Sequence, residues 1–238
     1  MRTAIITGAS RGIGFAIAKK LISEGWRVIG LARTFPSDLP SSFIPYVIDL
    51  EKIEQLPLTL KELQKKYLDV DAIICNAGRG YFGSLEELKF EKIRSLFELN
   101  FLSHTYLIKV FLPLFKRQNR GHIIMLGSEA ALQGKRMGSI YCASKFALRG
   151  FAQALREECS TSNIRISIIN PGMVKTDFFN DLDFAPGDHP SNHILPEDIA
   201  EAAHLILNAR EGTVFDEINL SPQTKLIKRR TSALLTKY

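Results

Sequence analysis

The sequence predicts an α/β fold: a Rossmann-type, doubly wound parallel sheet of about seven strands with helices on both faces. Short β-branched apolar runs alternate with amphipathic helical stretches from the first residues onward, and that alternation is the mark of βαβ units. The runs are apolar throughout, as in "DAIIC" and "RISIIN", which fits strands covered on both faces. A glycine-rich segment, "TGASRGIG" from Thr7 to Gly14, separates the first run from the first helical stretch, and such sheets bind phosphate groups at that place.

Taken in order, "TAIIT" is the first strand and "GFAIAKKLISEG" the amphipathic helix behind it. "RVIGLA" and "IPYVI" supply the second and third strands, and "LTLKELQKKY" the next helix. "DAIIC" is the fourth strand, ahead of the longest helical pattern, "EKIRSLFELNFLSHTYLIKVFLPLF". Pro113 falls inside that pattern, where its missing N–H should kink the helix or end it. "HIIML", helical "ASKFALRGFAQALREEC", "RISIIN", helical "PEDIAEAAHLIL" and "TVFDEINL" complete the series. From Lys175 to Leu195 the chain carries two prolines and no clear period. A loop this long in a compact domain is usually functional or disordered, so a substrate loop is expected at about 175–195. No repeat or long linker interrupts the order, and residues 1–238 read as one domain ending in a basic tail at about 225–238.

Composition bounds the function. A chain of 238 residues with 45% hydrophobic and 24% charged content is an ordinary soluble globular protein. No apolar run is long enough to span a bilayer, and "MRTAIITGAS" does not resemble a signal peptide, so no membrane association and a cytoplasmic location are expected. Cys75, Cys142 and Cys159 show no C-x-x-C spacing and read as reduced core thiols. The charge of +6 comes from 31 basic against 25 acidic residues. A nucleic-acid binder would concentrate that excess in a stripe, whereas the clearest cluster is the tail "KLIKRRTSALLTKY", a solvated or oligomer-contacting segment.

Two stretches carry chemistry. "YCASK" sets Tyr141 and Lys145 four positions apart, one helical turn apart on one face. A cation within about 4–6 Å of a phenol favours the phenolate, so the pair suits a tyrosine acid/base; a plain helix surface is the alternative. In "TGASRGIG", Gly8, Gly12 and Gly14 are spaced G-x-x-x-G-x-G, leaving backbone N–H groups free to approach a pyrophosphate. An NAD site of this fold places an acid after the second strand. Here that place reads "GLARTF", with Arg33 and no acid before Asp38, while Arg11 lies in the glycine segment. Two guanidiniums and no repelling carboxylate favour a 2′-phosphate, hence NADP(H) over NAD.

With these motifs assembled, the chain resembles the short-chain dehydrogenase/reductase family, in its NADP-preferring branch, over nearly its whole length. The resemblance rests on "TGASRGIG", Asp49, "CNAG" at Cys75 to Gly78, Asn100, Ser128, "YCASK" and "NPGMVKT" at Asn170 to Thr176, all in family order. It implies a hydride-transfer site with catalytic Asn100, Ser128, Tyr141 and Lys145. Tyr141 would be the general acid in carbonyl reduction, or the base in alcohol oxidation. Lys145 would lower its pKa and bind the nicotinamide ribose, Ser128 would hydrogen-bond the substrate oxygen, and Asn100 would hold a water linked to Lys145. Each role suits a reaction that builds negative charge on oxygen. The resemblance further implies that Gly8, Ser10, Arg11, Gly12, Ile13, Gly14, Arg33, Asp49, Asn76, Ala77, Gly78, Pro171, Gly172, Val174 and Thr176 contact the cofactor together with Tyr141 and Lys145. Asp49 would accept from the adenine amino group; a simple turn residue is the alternative, as a satisfied core amide is for Asn100. Two departures are Cys75 at the head of "CNAG" and the ending "FDEINLSPQ", which speaks against an acyl-carrier ketoreductase and against a conventional tetramer interface through the C-terminus.

The function this implies is NADPH-dependent hydride transfer to the carbonyl of a small hydrophobic ketone or aldehyde, or the reverse alcohol oxidation. A 3-oxoacyl thioester is the alternative substrate, and a non-catalytic NADP-binding regulator the alternative role. Phe178, Phe179, Leu182, Phe184, Tyr81 and Phe82 are candidates for an apolar pocket, or are ordinary loop anchors. Lys135 and Arg136 are expected near its mouth. A serine hydrolase is disfavoured because "LGSEA" around Ser128 lacks the G-x-S-x-G elbow. No metal site is expected, since Pro190 keeps His189 and His193 from sharing one helical face. By resemblance, the subunits would pair as a homodimer or homotetramer through the long helices near Asn100 and Tyr141.

Overall fold

In the computed structural model, which describes residues 1–229, the seven apolar runs pair into one sheet. β1 (Thr3–Thr7), β2 (Arg27–Ala32), β3 (Phe43–Val47), β4 (Ala72–Cys75), β5 (Gly121–Leu126), β6 (Ile164–Pro171) and β8 (Glu217–Leu220) lie in the order β3-β2-β1-β4-β5-β6-β8. Every pairing is parallel. This is the doubly wound architecture expected from the sequence, with its crevice outside the carboxyl ends of the strands. A short β7 (Phe184–Pro186) pairs antiparallel with β9 (Ile227–Arg229) in a separate two-stranded sheet.

Strand pleating sends alternate residues to two cores. Ile5, Ile29, Ile73, Ile123 and Ile166 pack with α2 (Leu56–Lys66), α4 (Ser103–Gln118) and α5 (Ser139–Cys159), where Phe111 and Phe115 are fully buried. Ile6, Val28, Ile74 and Ile124 pack on the other face with α1 (Gly12–Ser23) and α6 (Pro196–Leu207). Cys75, Cys142 and Cys159 are buried and unbridged. Among the described residues, no helix is long and apolar enough to cross a membrane.

Four elements depart from the sequence-based boundaries. The longest helical pattern is broken into α3 (Phe90–Phe97), a π turn at Glu98–Leu102 and α4. Pro113 does not end α4, which runs on to Gln118 and is capped by Asn119 in the left-handed region, φ 49°; Pro113 is exposed and costs the helix one backbone bond. α5 starts at Ser139, ahead of the expected "ASKF" start, so Tyr141 and Lys145 share it. Only the second half of "TVFDEINL" pairs with β6, because Thr213 N donates to Arg210 O in a turn built on Gly212, φ 81°.

The 175–195 stretch is folded. Val174 bridges to Ile194, β7 lies within it, and 3₁₀ turns occupy Asp177–Phe179 and Pro190–Asn192. The first part of the basic tail holds it in place: Gly187 N donates to Leu226 O at 3.0 Å, Thr224 N donates to Ser191 O at 2.9 Å, and Lys228 pairs with Asp188 at 2.7 Å. Lys225 reaches Glu129, beside Ser128, at 2.6 Å. Residues 230–238 of the tail lie outside the described residues. A chain ended after Gln223 is expected to exchange the amide hydrogens of residues 184–192 much faster while β1–β6 keep their protection. Unchanged exchange in that segment would show that β9 is not what holds it.

Candidate active site

Thr7 closes β1, and its hydroxyl accepts the backbone N–H groups of Asn76 and Ala77, each at 2.9 Å. Asn76 Nδ2 in turn donates to Thr7 O at 2.9 Å and Gly8 O at 3.2 Å, so the ends of β1 and β4 are fastened together. Gly8 turns at φ 66° and Gly12 at φ 57°, conformations that glycine adopts without steric cost. A Cβ on Gly14 would lie 2.3 Å from Gly8 O and 2.5 Å from Asn76 Nδ2, so α1 can start here only because Gly14 has none. Arg11, the residue before α1, makes no side-chain cap, and the first-turn N–H groups of a helix lack intrahelical partners. Ser10 and Ile13 are half-buried in the same turn, and Thr176 lies beside Gly12, whose Cβ would meet Thr176 Cγ2 at 3.6 Å. The cradle fits a pyrophosphate: Gly8 N and Ala9 N are taken up by Leu31 O, but the first turn of α1 presents N–H groups without intrahelical partners, and the helix N-terminus is positive.

Further along the strand ends the four residues singled out from "YCASK", Ser128 and Asn100 come together. Tyr141 and Lys145 are buried on α5, with Lys145 Nζ 6.0 Å from the centre of the Tyr141 ring. Nζ donates to Leu126 O at 2.8 Å. Burial pushes the Tyr141 phenol up to about 12, against a hydrogen bond with Ser128 that lowers it. Burial pushes Lys145 down to about 8. The expected lowering of the phenol by the ammonium is not found: the lowering influence is the Ser128 hydrogen bond, and desolvation, which disfavours both charged forms, outweighs it.

Asn100, fully buried, is placed by the π turn. Its Oδ1 accepts from Arg79 N at 3.0 Å, and Nδ2 donates to Arg79 O at 3.0 Å and Ser144 Oγ at 3.1 Å. The amide ties the segment after β4 to α5. His104, one turn on, sets Nε2 3.3 Å from the Thr7 hydroxyl; burial, and then the charge of Lys145, push it down to about 3, so it is neutral.

Of the group behind Ser128, the sequence reading named Asn170 at the head of "NPGMVKT" without a role, and passed over its partners. Asn170 Oδ1 accepts from Ser128 N at 3.3 Å, and Asn170 Nδ2 donates to Glu217 Oε1 at 2.9 Å and Asn219 Oδ1 at 3.0 Å. Arg149, on the Tyr141–Lys145 face of α5, pairs with Glu217 at 2.9 Å. The i+4 spacing of Tyr141, Lys145 and Arg149 was the one signal for it in the sequence. Pro171 and Gly172 follow, with Gly172 N donating to Leu220 O at 2.8 Å, and Val174 is buried beneath them.

Phe82 and Phe178 pack on the Tyr141 ring at centroid distances of 5.1 and 6.1 Å. Phe184 stacks edge-on to Phe82 at 4.9 Å and lies 5.8 Å from Phe179, so the aromatic residues of the folded loop do gather over the phenol. Tyr81 packs against the same cluster and its hydroxyl accepts from Arg79 at 3.0 Å, while Lys135 and Arg136 are exposed. At the far end, Asp49 Oδ1 accepts from Glu51 N at 3.1 Å, Ala77 is buried, and Gly78 lies exposed next to Asn100 and Lys145. Arg11 reaches Asp177 at 3.6 Å. The expectation that no carboxylate stands near Arg33 is corrected: Glu51, after β3, lies 3.6 Å from it.

A parallel sheet with a bare glycine cradle next to a buried tyrosine–lysine pair defines a nucleotide-binding oxidoreductase site. The family model for short chain dehydrogenase matches residues 2–185, and the chain belongs to that family. It is 33% identical over 239 residues to an NADP-dependent 3-hydroxy acid dehydrogenase of Schizosaccharomyces pombe, covering 93% of this chain and 92% of that protein. It is 34% identical over 187 residues to a 3-oxoacyl-(acyl-carrier-protein) reductase of Buchnera aphidicola, covering 76% and 77%. The structure of an alcohol dehydrogenase from Thermococcus sibiricus complexed with 5-hydroxy-NADP superimposes with a TM-score of 0.82 at 28% identity, over 95% of this chain and 99% of that one.

The lowered pKa of Lys145 has a sign that can be checked. Between about pH 8 and its unfolded value of 10.5 the unfolded chain binds a proton that the folded chain has released, so stability rises with pH there. Relative to Lys145→Met, the wild type is expected to gain about 2 kcal/mol between pH 7 and pH 9.5 in urea unfolding, at 1.36 kcal/mol per unit. Parallel pH profiles for the two proteins would contradict it.

Proposed function

We propose that the protein reduces the carbonyl of a small hydrophobic ketone or aldehyde with NADPH, or runs the reverse alcohol oxidation. The observation that carries the reading is the buried Tyr141–Lys145 pair with the Ser128 hydroxyl on the phenol, set at the strand ends beside the glycine cradle. A nicotinamide held there supplies the hydride. Hydride arrival at the carbonyl carbon builds negative charge on its oxygen; Ser128 donates a hydrogen bond to that oxygen and Tyr141 delivers the proton. A phenol held at about 12 is fully protonated at neutral pH, as an acid must be. Lys145, with one ammonium face on Leu126 O, restores the phenol proton and meets the ribose hydroxyls. The rings of Phe82, Phe178 and Phe184 keep water from the oxygen and give an apolar substrate its contact surface.

NADP(H) as cofactor is supported by Arg11 and Arg33 at the cradle's rim, by the NADP-dependent Schizosaccharomyces relative and by the 5-hydroxy-NADP complex of the Thermococcus structure. Residues 1–238 would act as one cofactor-binding and catalytic unit, cytoplasmic, paired as a homodimer or homotetramer through α4 and α5. A 3-oxoacyl thioester is the second reading, favoured by the Buchnera relative.

Thermal unfolding with NADPH, NADH and neither tests the cofactor, since a ligand of the native state stabilises it by RT ln(1 + [L]/Kd). A larger shift with NADPH is expected, and no shift with either would leave the regulator reading's cofactor, and the enzyme's, without support. Tyr141→Phe is expected to keep cofactor binding and lose at least about a hundredfold in turnover, the scale of general acid catalysis; wild-type turnover would remove Tyr141 from the mechanism. Arg33→Ala is expected to narrow the NADPH preference, and an unchanged ratio would mean that Arg33 does not read the 2′-phosphate.

A further inference from the structure

Glu51 is shared by two arginines that arrive from different strands. Arg33, following β2, sets Nη1 3.6 Å from Glu51 Oε1, and Arg79, following β4, bonds the same oxygen through Nη2. β3 and β4 are separated in the sheet by β2 and β1, a span of about 14 Å at 4.8 Å per strand. The Arg79–Glu51 pair therefore joins the segments that leave the carboxyl ends of β3 and β4. The two guanidiniums differ in freedom. Arg33 is 67% exposed and Arg79 only 29%. Arg79 is also fixed at its backbone, through both N and O, by the Asn100 amide, and its Nη1 donates to Tyr81 OH at 3.0 Å.

Two guanidiniums converging on one carboxylate oxygen form an anion site already filled by the chain itself. A phosphate monoester carries about 1.5 to 2 negative charges at neutral pH and three acceptor oxygens, so it competes well with one carboxylate for such a pair. A ribose with a free 2′-hydroxyl brings no charge, and Glu51 can remain and accept from that hydroxyl.

We propose that Arg79 is a further specificity-determining residue for the 2′-phosphate of the dinucleotide, beside Arg11 and Arg33, and that Glu51 is the intramolecular competitor that limits the preference over the unphosphorylated form. The inference rests on the NADP reading above and adds to it the residues that set its strictness. Arg33 swings from Glu51 to the phosphate, Arg79 supplies a fixed second donor, and Glu51 is the group displaced.

The test is calorimetric titration of the full-length protein with adenosine 2′,5′-bisphosphate and adenosine 5′-monophosphate, and with NADPH and NADH, for wild type, Arg79→Gln and Glu51→Gln. Thermal unfolding of each ligand-free variant checks that it is folded. Arg79→Gln is expected to weaken the bisphosphate and NADPH about tenfold and to leave the monophosphate and NADH within about twofold. Glu51→Gln is expected to move the other way, tightening NADPH severalfold with NADH unchanged or weaker. A wild type that binds bisphosphate and monophosphate equally overturns the NADP reading and this inference with it. A wild type that prefers the bisphosphate, with both variants keeping the wild-type ratio, overturns this inference alone.

Discussion

The fastening of β1 to β4 at Asn76 is the constraint on which the rest depends. Its amide bonds two successive carbonyls of the glycine turn, while its own N–H and that of Ala77 are held by Thr7. That leaves α1 no room for a side chain at Gly14, and forcing one into a packed site costs about 1–3 kcal/mol. The start of α1, its packing on α6 across one face of the sheet, and the bare backbone offered to a phosphate all follow from this one close approach. His104 extends the fastening to α4 through the same Thr7 hydroxyl, and remains neutral because it is buried next to Lys145.

The second organising feature is the burial of two groups whose charged forms dislike burial. Tyr141 moves up and Lys145 moves down for the same reason, so the pair sits with the phenol protonated and the ammonium only weakly held. Lys145 is kept in place by Leu126 O and by Gly78, whose smallness lets the segment after β4 pass close to Nζ. Asn100 then locks that segment to α5. The Phe82 and Phe178 rings packed on Tyr141 deepen its desolvation, and so help set the phenol's proton affinity.

Much of this was legible in the sequence, and the reason differs by element. The seven strands and their parallel pairing were readable because burial on both faces forces a continuous apolar run. The glycine turn was readable because positive φ and close approach admit little else. The break at Glu98–Leu102 was not, since a π turn leaves the helical period of "EKIRSLFELNFLSHTYLIKVFLPLF" almost intact. The order within 175–195 was hidden because its partner, Ile227–Arg229, lies some 40 positions downstream, and such a pairing leaves no local period. Glu51 escaped notice for the same reason: it follows the third strand, and only the sheet order brings it to Arg33.

By itself the sequence determined the class of fold, the place of the glycine turn and the spacing of Tyr141 and Lys145, because each is a local matter of period, glycine and helical turn. Tertiary structure alone decided the state of those groups. The direction in which Tyr141 shifts depends on burial under Phe82 and Phe178, which come from segments far apart in the chain. The charge around Arg33 depends on which side chains the strand order brings together there.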